Sequence, residues 1–212
     1  LGEYSAYVAS GKLKFEDALK LVRKRGELMQ NADPDKKGTM AAVMRIDDAK
    51  VEEICSKYEN VVPANYNCPG QLVISGDKIQ LEDVADEIEE NKGRVIFLNV
   101  SGPFHSPLMQ NAADDFEKTL ESFSFKDTNL PLYSNIDAKP IESGKEKTSL
   151  VKQIVSPVNW TTTIKNMIAD GFDTFVEIGP GKVLQGLVKK IDRSQKIYGV
   201  STLDSIEKLD IL

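Results

Sequence analysis

A single histidine, His105, is the only side chain in this sequence that could supply an imidazole base. It lies in residues 101–107, between a predicted strand and a predicted helix. Loops at the ends of strands often carry catalytic groups. An ordinary imidazole pKa of about 6.5 suits proton transfer at neutral pH. The alternative is an incidental loop histidine. A metal role is not expected, because one histidine and two separated cysteines do not form a ligand set.

A second candidate, Arg25, falls on the side of a predicted helix that should be buried. Residues 18, 22, 25 and 29 share one helical stripe, and the other three are Ala18, Val22 and Met29. A desolvated guanidinium is costly unless a carboxylate or phosphate binds it, preferably through both oxygens. Arg25 is therefore a candidate for binding a substrate carboxylate. The alternatives are a structural pair with a glutamate and a side chain that extends past the core edge to water.

The first two residues, Leu1 and Gly2, could be the end of the nucleophile motif G-x-S-x-G. In that motif the serine lies on a tight turn between a strand and a helix. The serine would then be the residue directly before Leu1, one position ahead of these 212 residues. The alternative is an ordinary N-terminal helix, since many helices could begin with these residues.

Another glycine-rich segment, residues 177–184, follows a predicted strand and opens a predicted helix. It is not a P-loop, because Val183 stands after Lys182 where a serine or threonine is required. It is not a dinucleotide-binding fingerprint either, because the third glycine is missing. A tight strand-to-helix turn is the favoured interpretation.

Composition excludes several classes of protein. The net charge of -6 argues against non-specific binding of nucleic acid. No apolar run approaches the roughly 18–20 residues that a membrane-spanning helix needs, and no secretory signal is visible. Cys55 and Cys68 fit neither a disulfide framework nor a metal site, so we interpret them as reduced thiols and expect a cytoplasmic protein.

The predicted elements divide the chain into two kinds of segment. Residues 38–100 follow the order β-α-β-β-α-β, which is typical of a ferredoxin-like unit. Outside that range strands and helices alternate, which suggests a parallel sheet interrupted by the small domain. The predicted strands are 40–46, 61–67, 71–75, 94–100, 130–134, 174–178 and 197–200. The predicted helices are 1–9, 15–30, 48–58, 77–91, 107–123, 147–155, 160–169 and 182–191. Within 15–30, the 3.6-residue period assigns an apolar face to Phe15, Ala18, Leu19, Val22, Gly26 and Met29.

Six further motifs, in order along essentially the whole chain, resemble those of one family. They are R-G-x-x-M-Q at 25–30, N-x-N-x-P-G-Q-x-V-I-x-G at 65–76, F-H-S-x-x-M at 104–109, S-N at 134–135, Q-x-x-x-P-V-x-W at 153–160 and E-x-G-P-G-x-x-L at 177–184. Together with Leu1-Gly2, which matches the end of G-H-S-L-G-E-Y/F, they are similar to the malonyl-CoA:acyl carrier protein transacylases. That family includes the acyltransferase domains of fatty-acid and polyketide synthases.

The resemblance implies a fold of class α/β, in which an α/β-hydrolase-like large subdomain carries an inserted ferredoxin-like small subdomain. Residues 1–37 and 101–212 would form the large subdomain, and residues 38–100 the small one. It also implies transfer of a malonyl group from malonyl-CoA to the phosphopantetheine thiol of acyl carrier protein through a seryl ester.

The roles that the resemblance implies fall on a few positions. The nucleophile serine would directly precede Leu1, and the backbone N–H of Leu1 would be one oxyanion donor. His105 would be the general base, oriented by the backbone carbonyl of Gln153. Arg25 would bind the malonyl carboxylate, and Phe104 would restrict an α-methyl group.

The expected partners are malonyl-CoA and acyl carrier protein, with no metal, no cofactor beyond coenzyme A as part of the substrate, no nucleic acid and no membrane. Because carrier proteins are acidic, a basic docking surface is expected at Lys182, Lys189, Lys190 and Arg193. The alternative for these residues is a solvated helix face. A monomer is expected, and the helix-like tail 201–212 favours a stand-alone enzyme. The alternatives in function are an acyltransferase domain of a polyketide-type synthase and a non-catalytic carrier-protein docking module.

Overall fold

Two helices begin the chain in a computed structural model that describes residues 1–209. They are α1, Gly2–Ala9, and α2, Phe15–Gln30. The side of α2 that packs on the core carries Ala18, Leu21, Arg25 and Met29, so the predicted burial of Arg25 is confirmed. These positions follow the i, i+3, i+7 pattern of one helical face.

The predicted apolar face of α2 is wrong at three positions. Phe15 and Leu19 are 60% and 54% exposed, and Gly26 is also exposed. At about 100° of rotation per residue, Leu19 lies roughly a quarter turn or more from the centre of the buried stripe. Leu21, which the prediction omitted, is fully buried instead.

A four-stranded antiparallel sheet, here called the small sheet, follows α2. Its strands are β1, Gly38–Met44; β2, Val61–Cys68; β3, Gln71–Asp77; and β4, Arg94–Phe97. They are arranged in the order β2-β3-β1-β4. Two helices, α3 (Asp48–Cys55) and α4 (Lys78–Glu90), connect β1 to β2 and β3 to β4. The side chain of Asp77 caps α4 by accepting from the backbone N–H groups of Ile79 and Gln80.

The alternation of side chains along β1 separates two packed faces. Ala41 and Val43 face the apolar core formed with α3 and α4. Met40 and Ala42 point the other way, into a smaller cluster that includes Ala64 and Phe104. The second face of the small sheet therefore packs against the segment that carries His105.

The rest of the chain is mainly helical. A single 3₁₀ turn, Pro107–Met109, leads into α5, Gln110–Leu120. It is followed by α6, Glu146–Val155; α7, Trp160–Ala169; β5, Thr174–Ile178; α8, Val183–Ile191; β6, Lys196–Val200; and α9, Leu203–Glu207. Strands β5 and β6 pair in parallel. The main core of this part packs α1 and α2 against α5 and α6.

One prediction in this part needs correction. The predicted strand 130–134 is wrong: the segment has no neighbouring strand and makes one isolated bridge, between Tyr133 and Pro140. Ser106 directly precedes the 3₁₀ turn, but its side chain does not cap it. Its hydroxyl donates to the carbonyl oxygen of Pro103 at 2.6 Å. In residues 1–209 no helix is long and apolar enough to cross a membrane.

The small sheet is joined to the helical part by main-chain hydrogen bonds at its β2 edge. The N–H of Tyr66 donates to the carbonyl of Val158 at 2.9 Å, and the N–H of Val158 donates to Ala64 at 2.8 Å. A β-bulge lies between Pro63 and Asn65. This junction fixes the strand that contributes Asn65 to the cleft described next.

Candidate active site

A cleft of about 450 Å³ lies between the small sheet and the helices. Three segments with candidate functional residues contribute to it: the start of α1, helix α2 and residues 101–105. Its lining residues are Leu1, Arg25, Gly26, Met29, Gln30, Met40, Asn65, Ser101, Phe104 and His105. The structure thus brings the candidate base, the candidate carboxylate-binding residue and the amino end of α1 to one cavity.

His105 occupies a loop with an unusual backbone. Its φ is +60°, in the left-handed region that non-glycine residues rarely adopt. Such strain is maintained only where the surroundings determine the conformation, and it clusters at functional sites. The neighbouring N–H of Phe104 donates to Gly102, and the Ser106 hydroxyl donates to Pro103, so the loop is held on both sides of the histidine.

The imidazole of His105 is oriented by a carbonyl group. Its Nδ1 lies 2.9 Å from the backbone oxygen of Gln153. Because a carbonyl oxygen only accepts, Nδ1 carries the proton and Nε2 keeps the lone pair that can take one. The pKa of His105 is lowered to about 4, mainly by burial; the hydrogen bond to Gln153 opposes the shift, and the charge of Arg25 adds to it. The ring is therefore neutral, and able to act as a base, at pH 7.

The carbonyl of Gln153 is available for a local reason. Gln153 lies in the last turn of α6, where carbonyl groups lack partners within the helix. The residue four positions on, Pro157, has no N–H to donate. The helix end therefore leaves an acceptor facing His105.

Arg25 is 8% exposed, and its guanidinium has one hydrogen-bond partner among residues 1–209. Its Nη2 donates to the side-chain Oε1 of Gln153 at 2.6 Å. Its Nε is buried and makes no hydrogen bond within the same residues. Across that range no Asp or Glu oxygen lies within 4.0 Å of it, so the alternative of a structural Arg–Glu pair does not describe this site. A buried donor without a partner is uncommon and calls for an explanation.

The amino end of α1 is the third component. Leu1 lies at the N-cap of the helix and lines the cleft, and the carbonyl of Leu1 accepts from the N–H of Tyr4 at 3.1 Å. The first N–H groups of a helix have no partner within it and can bind a developing negative charge. The arrangement at Leu1 can therefore supply a backbone donor to a reaction in the cleft.

Several cleft residues had no role in the sequence-based prediction. Met40 and Asn65 reach the cleft from the small sheet, and Ser101 from the loop before His105. Asn65 was part of a motif, but nothing local indicated that the bulge in β2 would place it here. Glu3, which is not among the lining residues, is also buried. Its Oε2 accepts from Asn135 at 2.7 Å, and burial raises the pKa of its carboxyl.

The four candidate docking residues are all exposed and lie outside the cleft lining. They do not form one group. Lys182 precedes α8, whereas Lys189, Lys190 and Arg193 lie at its far end. Lys190 also donates to Gln71 of the small sheet at 3.1 Å. Within the described part of the chain, no group of three or more His, Cys, Asp or Glu residues could hold a metal ion.

Comparisons with known proteins show the family to which the chain belongs. A model of the family described as acyl transferase domain matches residues 1–207, so the chain belongs to the acyl transferase domain family. It is 45% identical to malonyl CoA-acyl carrier protein transacylase of Staphylococcus aureus (strain MRSA252), over 98% of this chain and 69% of that protein.

Solved structures of similar proteins have the same mixed α/β fold. The crystal structure of malonyl CoA-acyl carrier protein transacylase from Clostridium perfringens aligns with a TM-score of 0.94 at 44% identity, covering 98% of this chain and 67% of the other. A chain from the structure of a type II PKS acyl-carrier protein in complex with its malonyl-transacylase aligns with a TM-score of 0.93 at 36% identity. The alignment covers 97% of this chain and 68% of the other.

Proposed function

We propose that this protein transfers a malonyl group from malonyl-CoA to the phosphopantetheine thiol of acyl carrier protein, through an ester on a serine that directly precedes Leu1. The observation that carries the proposal is the convergence of Arg25, His105 and the amino end of α1 on one cleft. The names of the relatives, malonyl CoA-acyl carrier protein transacylases, support the same reaction.

The chemistry uses His105 twice. In the first half-reaction Nε2 takes the proton of the serine hydroxyl while the serine oxygen attacks the thioester carbonyl. Coenzyme A leaves as a thiolate and takes the proton back from the imidazolium. In the second half-reaction the carrier thiol gives its proton to His105 and attacks the ester, and the serine oxygen recovers that proton as it leaves. No cofactor is needed apart from the coenzyme A of the substrate.

The oxyanion of each tetrahedral intermediate needs hydrogen-bond donors. The backbone N–H of Leu1, as the residue after the nucleophile, would be one of them. Its place at the start of α1 adds the positive end of the helix dipole, which favours negative charge there.

The malonyl carboxylate would bind Arg25. Arg25 lines the cleft, and a guanidinium can bind both oxygens of a carboxylate at once. An acetyl group would leave this buried charge unpaired, a penalty of about 3–5 kcal/mol that provides discrimination without editing. Phe104, half-buried beside His105, would restrict an α-methyl substituent.

We further propose that residues 38–100 form a ferredoxin-like subdomain inserted into an α/β-hydrolase-like large subdomain made of residues 1–37 and 101–212, of which 210–212 lie outside the described residues. The element order of the small sheet and its strand order β2-β3-β1-β4 support the first part. The parallel pair β5–β6 is compatible with the second.

Carrier docking is proposed at the far end of α8, through Lys189, Lys190 and Arg193, with Lys182 as a separate contact. Positive charge there complements an acidic carrier. Because one similar transacylase was solved with a type II PKS acyl-carrier protein, a polyketide carrier is the alternative partner. A monomeric, cytoplasmic enzyme remains a prediction.

The test is acyl-enzyme formation by the full-length polypeptide, which carries the residue before Leu1. Incubation with radiolabelled malonyl-CoA should give a label that hydroxylamine removes and that acyl carrier protein accepts. A His105→Ala variant should label far more slowly. Complete failure of the folded wild-type protein to label would reject the transferase and favour a carrier-docking module.

A further inference from the structure

Gln153 contacts two groups of the site by two different parts of the residue. Its backbone oxygen accepts from Nδ1 of His105 at 2.9 Å. Its side-chain Oε1 accepts from Nη2 of Arg25 at 2.6 Å. The residue is 4% exposed; its contact with Arg25 is buried, and its contact with His105 is partly buried. The first contact orients the base, and the second has no part in the mechanism derived so far.

We propose that the side chain of Gln153 is a positioning residue for malonyl recognition, holding the guanidinium of Arg25 in the orientation that receives the substrate carboxylate. This inference rests on the proposed function. The hydrogen bond occupies one donor of Nη2 and leaves Nε without a partner. A planar guanidinium anchored at one nitrogen presents its remaining donors in a fixed direction.

The chemical type of the partner matters as much as its position. An amide oxygen is a neutral acceptor, so it fixes the guanidinium without cancelling its charge. A carboxylate at the same place would form an ion pair and compete with the substrate. Among residues 1–209 no carboxylate oxygen lies within 4.0 Å of Arg25, so its charge remains available to malonyl.

Helix α6, which carries Gln153, is held in place by buried contacts. Leu150 and Ile154, on the same helix, are fully buried in the main core. At the start of α6, Glu146 forms a buried ion pair with Lys12 at 2.6 Å. Because one residue of this helix binds both His105 and Arg25, the distance between the base and the carboxylate-binding group is fixed by a single element. Small misplacements in such a constellation cost large factors in rate.

The discriminating variant is Gln153→Met, made in the full-length polypeptide. Methionine keeps a similar volume and leaves the backbone carbonyl in place, but its thioether is only a weak acceptor for Arg25. We expect kcat/KM for malonyl-CoA to fall about tenfold to a hundredfold, mainly through KM, as loss of one hydrogen bond to a charged group predicts. Acyl-enzyme formation from acetyl-CoA should change by less than about threefold, and the acid limb of the pH profile should not move.

Two further variants complete the test. Gln153→Glu keeps the acceptor but adds a negative charge, so the malonyl-to-acetyl ratio of kcat/KM should fall further than with methionine. Gln110→Met, an exposed change on α5, should leave both reactions unaffected. Thermal unfolding of each variant reports whether it folds.

The outcomes separate the two proposals. If the wild-type protein does not transfer malonyl, the proposed function fails. If it does, and Gln153→Met leaves the malonyl-to-acetyl ratio unchanged or lowers both reactions equally, only the positioning role is overturned. A shift of the acid limb in Gln153→Met would also overturn it, because the effect would then pass through His105. If neither Gln153 variant folds, the side chain is structural and the inference is rejected.

Discussion

Replacing Arg25 with alanine in the full-length polypeptide should abolish malonyl selectivity, because malonyl transfer should collapse while acetyl transfer is spared. The change removes the guanidinium from the cleft and leaves His105, its bond to Gln153 and the start of α1 in place. A malonyl carboxylate entering that cleft would lose its charged partner and remain desolvated. An acetyl group makes no use of the guanidinium, so its transfer should be spared or improved.

The size of the effect follows from burial. Arg25 is 8% exposed, so a carboxylate bound to it would also be shielded from water. Removing one partner of a buried ion pair costs about 3–5 kcal/mol. At about 1.36 kcal/mol per tenfold change in rate, kcat/KM for malonyl-CoA should fall roughly 200- to 5000-fold.

The assay compares acyl-enzyme formation from malonyl-CoA and acetyl-CoA in three proteins. Arg23→Ala is the matched control, because Arg23 lies on the same helix with its side chain 84% exposed and pairs with Glu27 on the surface. Such surface pairs contribute about 0–1 kcal/mol, so the control should match wild type. Equal losses with both substrates in Arg25→Ala would refute the carboxylate role and point to a structural one.

Three other predictions concern the base, the pocket wall and the carrier surface. Because burial lowers the pKa of His105 to about 4, the acid limb of the kcat/KM profile should lie near pH 4, and a limb near pH 6.5 would contradict the burial argument. The contribution of His105 to the free energy of unfolding should be lost as the pH decreases from about 6.5 towards 4. Phe104→Leu should raise methylmalonyl transfer relative to malonyl transfer, and an unchanged ratio would show that the ring does not restrict the α-position. Charge reversal of Lys189 and Lys190 should raise KM for acyl carrier protein and leave the coenzyme A half-reaction unchanged, whereas equal effects on both would reject docking there.

Much of the fold could be predicted from the sequence because its signals are local. The 3.6-residue period defined α2 from residue 15 to 30, as observed. The order of strands and helices between 38 and 100 matched the small sheet. The strand predicted at 130–134 failed because a strand exists only when another segment pairs with it, and local composition does not report that partner.

The candidate site could be predicted only in part from such local sequence signals. Burial of Arg25 followed from helical periodicity, and the sole histidine limited the choice of base. The side-chain bond between Arg25 and Gln153 joins residues 128 positions apart, and no local pattern indicates it. The left-handed backbone of His105 could not be predicted from the sequence either, because non-glycine residues adopt it only when tertiary contacts require it.

The most direct measurement is a crystal structure of the full-length protein trapped as its malonyl ester. The account predicts an ester on the serine before Leu1, with the malonyl carboxylate within hydrogen-bonding distance of Arg25 and Nε2 of His105 facing the ester oxygen. A carboxylate bound elsewhere, or an acyl group attached to another residue, would contradict it.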